Sequence, residues 1–105
     1  MSVPVTVLAH FRAKPEHLAD VQTALAELIA ATRQEAGCLS YVLHVAQDDP
    51  TAFVMIERWA SPEALKAHFA QPHTQAALAR IPPWLAEDVR ISRWTEVELT
   101  RPEPV

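Results

Sequence analysis

The sequence predicts an α+β fold, and three observations lead to it. Its 105 residues, 50% of them apolar with a net charge of −4, suffice for one domain that buries roughly two-thirds of its unfolded surface. Apolar residues alternate at period two in four segments and recur at three- and four-residue steps in two others, in the order strand, helix, strand, strand, helix, strand. The second and third strands are apolar on both alternating sides, so each face of the sheet they build needs cover. The expectation is a single domain over residues 1–105, with a core over about 3–100 and a short Pro-containing C-terminal tail.

Val3, Val5, Val7, Ala9 and Phe11 alternate with Pro4, Thr6, Leu8, His10 and Arg12, which marks the first strand. Pro15 fits the first turn of a helix, where a missing N–H costs little. Leu18, Val21, Leu25, Leu28 and Ile29 form that helix's apolar face, and Gly37 ends it. Strands over about 38–47 and 52–59 follow, joined by a reversal at Asp48-Asp49-Pro50-Thr51. Ser61 caps the next helix, with Pro62 at its first position and Glu63 near its positive end. Pro72 breaks it, and a second helical piece runs over about 73–81 until Pro82-Pro83 stops it. Val89, Ile91, Arg93, Thr95, Val97 and Leu99 then alternate through a last strand.

With right-handed crossovers, a βαββαβ chain closes as a four-stranded antiparallel sheet carrying both helices on one face, the ferredoxin-like sandwich. Leu39, Tyr41, Leu43 and Val45 oppose Cys38 and Val42, while Val54 and Ile56 oppose Phe53 and Met55. The face without helices is therefore expected to meet a second copy of itself, giving a two-fold homodimer with a barrel-like centre.

Composition excludes several functions. No Lys/Arg cluster offers a footprint for nucleic acid or an anionic membrane surface, and no stretch approaches the ~20 apolar residues of a membrane span. No secretory signal opens the sequence, since Pro4 and Thr6 interrupt the first apolar run. Cys38 stands alone, which removes a disulfide framework and fits a reducing, cytoplasmic setting. A single glycine cannot build a phosphate cradle or a dinucleotide fingerprint.

Chemistry-bearing residues gather around the third strand and second helix. Glu57 shares a strand face with Met55 and Trp59; as a carboxylate there it either finds a partner such as an Arg or acts as a proton acceptor with a raised pKa. Trp59 either closes the core or forms an aromatic wall for a flat substrate. His68 borders the helix's buried stripe, as a satisfied core histidine or as a general base. His73 follows Pro72 at a helix start, where it serves as a cap contact or an anion site. His44 and His10 are further pocket candidates, whereas His17 is expected in solvent and Cys38 as a small buried hydrophobe. His68 and His73 with a Glu would make a facial triad for iron, but a spacing of five across a proline is not the i, i+4 pattern of two ligands on one helix. No metal site is expected.

Gly37-Cys38-Leu39-Ser40-Tyr41-Val42-Leu43-His44, Asp49-Pro50, Glu57-x-Trp59-x-Ser61-x-Glu63-Ala64-Leu65, Ala67-His68 and Pro72-His73 together resemble the signature of the antibiotic biosynthesis monooxygenase (ABM) domain family of dimeric α/β-barrel proteins, over about residues 5–99. The resemblance implies a pocket between sheet and helices, and oxygenation of aromatic polyketides, quinols or haem, often without flavin or metal. Haem-degrading members carry an Asn, a Trp and an axial His where this chain has His10, His68 and Leu78, which argues against haem. Polyketide anthrone oxidisers share Trp59 and His44 but have Asn and Tyr at Met55 and Leu65. The quinol monooxygenase-like branch is the nearest likeness, through Glu57, Trp59, His68, Pro72 and His73. The implied activity is a cofactor-independent monooxygenase using O₂ on a small aromatic or quinol. Its catalytic residues would be His68 and Glu57, and its substrate-binding residues Trp59, His73, His44, His10, Met55 and Leu65. The alternatives are an isomerase of a small oxygenated metabolite and a non-catalytic, stress-associated binding dimer.

Overall fold

The computed structural model describes residues 3–99; the Pro-containing tail lies outside the described residues. β1 (Val5–Arg12) leads through a 3-10 turn (Pro15–His17) into α1 (Leu18–Thr32). β2 (Cys38–Ala46) and β3 (Asp49–Trp59) form the hairpin, and α2 (Pro62–Ala70), α3 (Pro72–Arg80), a second 3-10 turn (Pro82–Trp84) and β4 (Arg90–Trp94) complete the chain. The sheet runs β2-β3-β1-β4, and every pairing is antiparallel. This is the ferredoxin-like arrangement of an α+β chain. Val7, Phe11, Tyr41, Phe53, Met55 and Trp59 from one sheet face bury against Val21, Leu25 and Leu65 from the helices. Burying side chains of this size stabilises by about 1.5–3 kcal/mol each.

Several boundaries differ from those read in sequence, each for a local reason. α1 ends at Thr32, five residues before Gly37, and the chain continues in turns where Glu35 N donates to Thr32 O and Cys38 N to Glu35 O. Gly37 is required by a close approach, because a Cβ there would collide with the Cβ of Ala64 on α2. The hairpin turn is Gln47-Asp48, and Asp49 already belongs to β3, where its carboxylate accepts from Thr51 N and Oγ1. β4 stops at Trp94, which pairs alongside Thr6; two residues further the partner would be Pro4, which has no N–H to give. Ser61 Oγ accepts from Ala64 N at 3.0 Å and starts α2 as the sequence indicates.

The sheet face away from the helices carries Leu8, Val54, Ile56, Val42 and Trp94, since these stand in register across the strands. Val42 is 42% and Trp94 55% exposed. Among the described residues no helix is long and apolar enough to cross a membrane.

Candidate active site

A cavity of about 90 Å³ lies between the sheet and the helices, with Val7, Ala9, Phe11, Tyr41, Glu57 and His68 in its wall. Leu78 of α3 and Ile91 of β4 also line it and are 46% and 44% exposed, which puts its mouth between those two elements. The wall is almost entirely apolar, and its polar groups concentrate at Glu57, His68, Thr74 and Tyr41. This is the composition of a small-molecule pocket, apolar with a few polar atoms that can orient an occupant.

Glu57 and His68 are each held by a partner behind the wall. Glu57 Oε1 accepts from the indole Nε1 of Trp59 at 2.9 Å, so the partner of this buried carboxylate is Trp59 and not an Arg. Burial pushes the Glu57 carboxyl up to about 7, the Trp59 N–H opposing and the charge of Glu35 adding to the rise. His68 stacks on Trp59 with centroids 4.5 Å apart and meets Tyr41 edge-on at 5.7 Å. Its Nδ1 lies 2.7 Å from Glu35 Oε2, and His73 Nε2 lies 2.8 Å from the same oxygen. A carboxylate only accepts, so both nitrogens carry hydrogen. Nε2 of His68 is then left as a lone-pair acceptor. Burial lowers the His68 pKa, against the pull of Glu35, and so favours this neutral form. Burial likewise raises Tyr41, with the Glu57 charge second, so the phenol keeps its proton. Cys38, partly buried, is raised by burial and then by Glu35 and Glu57, which fits an inert thiol.

Of the residues singled out in sequence, the fold brings Glu57 and His68 to one cavity and His73 to the far side of Glu35. Trp59 does not face the cavity; it is 0% exposed and supports Glu57 and His68 from behind. Met55 and Leu65 are packed into the core and do not line the cavity either. His10 and His44 both stand in register with Val54 on the opposite sheet face. For His44 the cause is a β-bulge between Cys38 and Ser40, which reverses the alternation so that Cys38 shares the side of Trp59 while Ser40, Val42 and His44 turn outward. His17 is half-buried, bonded to Asp20 at 2.9 Å and stacked on Trp84.

Glu35, Tyr41 and Thr74 are site residues that sequence reading did not single out. Glu35 is placed by the early end of α1, and no local pattern marks it. His68 and His73 meet, with ring centroids 6.2 Å apart, because α2 ends at Ala70 and Pro72 opens α3 in a new direction. The spacing rule for ligands on one helix therefore does not apply to them.

The profile of the family described as Antibiotic biosynthesis monooxygenase matches residues 4–80. The Mycobacterium tuberculosis protein named "Putative monooxygenase Rv0793" is 33% identical over 92 residues, covering 88% of this chain and 90% of its own. A solved structure titled "Crystal structure of antibiotic biosynthesis monooxygenase" superposes with a TM-score of 0.86 at 35% identity, covering 90% of this chain and 99% of that one. PA3566 from Pseudomonas aeruginosa superposes with a TM-score of 0.84, also at 35% identity, covering 93% and 98%.

Proposed function

The chain belongs to the antibiotic biosynthesis monooxygenase family, and from that premise we propose that it is a cofactor-independent monooxygenase of a small aromatic or quinol, acting as a cytoplasmic homodimer. One observation carries the reading: His68 is fixed by Glu35 in the tautomer whose free Nε2 is a base, at the wall of an apolar cavity that also holds Glu57. The arrangement follows the logic of a carboxylate-oriented histidine base.

A phenol bound in the cavity gives its proton to Nε2, and the Glu35 carboxylate stabilises the imidazolium that forms. The phenolate is electron-rich enough to pass an electron to O₂ in a pocket whose walls exclude water. The ring and the reduced oxygen then join. One oxygen atom stays on the ring and the other leaves as water, so that a quinol and O₂ become a hydroxyquinone and water. His68 returns its proton to the departing oxygen. Glu57, with a pKa near neutrality, is the second group able to hold or supply a proton there. No flavin, haem or metal enters these steps.

The test is oxygen uptake by chelator-treated, dialysed protein over a panel of quinols, with His68→Ala as the comparison. O₂ consumption that matches product and disappears in the variant is expected; turnover without O₂ would overturn the reading. Two proton carriers on one cavity also suit an isomerase, which anaerobic, mass-balanced turnover would reveal.

The dimer reading rests on the apolar outer sheet face, where Leu8, Val54 and Ile56 have no helix above them. A second copy laid sheet to sheet covers both faces at once.

A further inference from the structure

We propose that Glu35 Oε2, His68 Nδ1 and His73 Nε2 form a three-ligand site for Zn²⁺, entered from the surface and separated from the substrate cavity by the His68 ring. The three donor atoms lie within 4.8 Å of one another and come from three segments: the turn after α1, the end of α2 and the start of α3. Two histidines and a glutamate are a donor set that zinc takes, with water in the fourth position. A tetrahedral ion with bonds of about 2.1 Å spaces its ligand atoms about 3.4 Å apart. Glu35 lies closer than that to both histidines, so the carboxylate has to withdraw by roughly 0.6–0.7 Å, and the two histidine nitrogens, as far as 4.8 Å apart, have to close on each other, chiefly by a turn of the less buried His73 ring about its side-chain torsions.

Glu35 and His73 line an open groove on the outside of the molecule together with Gln34 and Gln71. That groove gives a hydrated ion an entry path and leaves room for its water. The cavity, by contrast, is lined by His68 but by neither Glu35 nor His73. The ion would therefore not touch a substrate. Its effect would run through the His68 ring: to ligate, His68 moves its proton from Nδ1 to Nε2, and His73 moves its own from Nε2 to Nδ1, by exchange with solvent and with no net proton released. His68 then offers the cavity an N–H in place of a lone pair. Zinc would silence the base without competing with substrate. The site stands on the geometry alone; its effect on turnover rests on the role proposed for His68.

Full-length protein stripped with a chelator and titrated with zinc chloride by calorimetry should bind one ion per chain. Glu35→Gln and His73→Asn should each weaken binding by about tenfold or more, while His17→Ala leaves it unchanged. Crystals of the unaltered protein soaked in zinc should show an anomalous peak between the three ligands, which decides the matter even where a variant does not fold. No saturable binding, affinity unchanged in Glu35→Gln, or a peak elsewhere overturns the site. Quinol turnover should fall in proportion to occupancy and return on adding chelator. Saturating zinc with undiminished turnover overturns the coupling, whereas a zinc-binding protein that turns over no quinol counts against the proposed function and not against the site.

Discussion

The face of the sheet under the helices holds Tyr41, Glu57 and Trp59 beside His68, whereas the opposite face holds His10 and His44 among Leu8, Val42, Val54 and Ile56. Both faces carry β-branched or aliphatic residues, yet only the first, with His68 laid over it from α2, gives its titratable groups a partner in a dry setting. Glu57 has the Trp59 N–H and His68 has the Glu35 carboxylate. On the second face, His44 Nδ1 reaches only the carbonyl of Val42, at 3.2 Å, and is exposed. Burial with a specific partner tunes a titratable group for chemistry; the same residue type on an open apolar face has no such setting.

The largest expected effect breaks the second face alone. Ile56 sits at the centre of that face, flanked in register by Leu8 and Val42. Ile56→Asp should split the dimer, because an unpaired charge buried in an interface costs about 3–5 kcal/mol. Sedimentation at micromolar concentration reads it. An unchanged dimer would show that the copies meet elsewhere, and a wild-type monomer would remove the interface altogether.

His68→Ala breaks the first face. Loss of a general base lowers turnover by about 10² to 10⁴-fold, while His44→Gln, one sheet-thickness away, should leave kcat unchanged. Equal losses in the two variants would mean that the faces have been assigned the wrong roles. Glu35→Gln sharpens the same comparison. The amide still accepts a hydrogen bond but no longer stabilises an imidazolium, so a loss of kcat of about tenfold or more with little change in KM is expected. A fall in KM affinity with kcat intact would make Glu35 a packing residue only.

The order of elements, the Ser61 cap and the two apolar sheet faces were legible in the sequence because each follows from local periodicity or a single capping side chain. The placement of His44 was not, since one inserted residue at the bulge after Cys38 reverses every side chain beyond it. His10 was ambiguous for a related reason: with both faces apolar, alternation alone does not say which one the helices cover. Glu35 depended on where α1 stops, and its meeting with His68 and His73 joins positions 33 and 38 residues apart. Trp59 was identified as important from its strand-end position, but whether an indole forms a wall or a support depends on the helix above it.

The smallest effect concerns stability, and it isolates Glu57. Its carboxyl titrates near its ordinary value of 4.5 in the unfolded chain and at about 7 when folded. Between those two values the folded state holds more protons than the unfolded state, so stability falls as pH rises from 4.5 to 7, by a few kcal/mol at most. Below 4.5 and above 7 this contribution is flat. His68 acts in the opposite sense: its folded pKa lies below 6.5, so the unfolded chain binds more protons between the two values and stability rises with pH up to 6.5. Glu57→Gln keeps an acceptor for the Trp59 N–H and removes the titrating group. Denaturant melts over pH 4 to 8 should therefore lose the decline in the variant and retain the His68 rise. A decline that persists unchanged in Glu57→Gln would mean that Glu57 carries its charge throughout this range, which would leave His68 as the cavity's sole proton carrier.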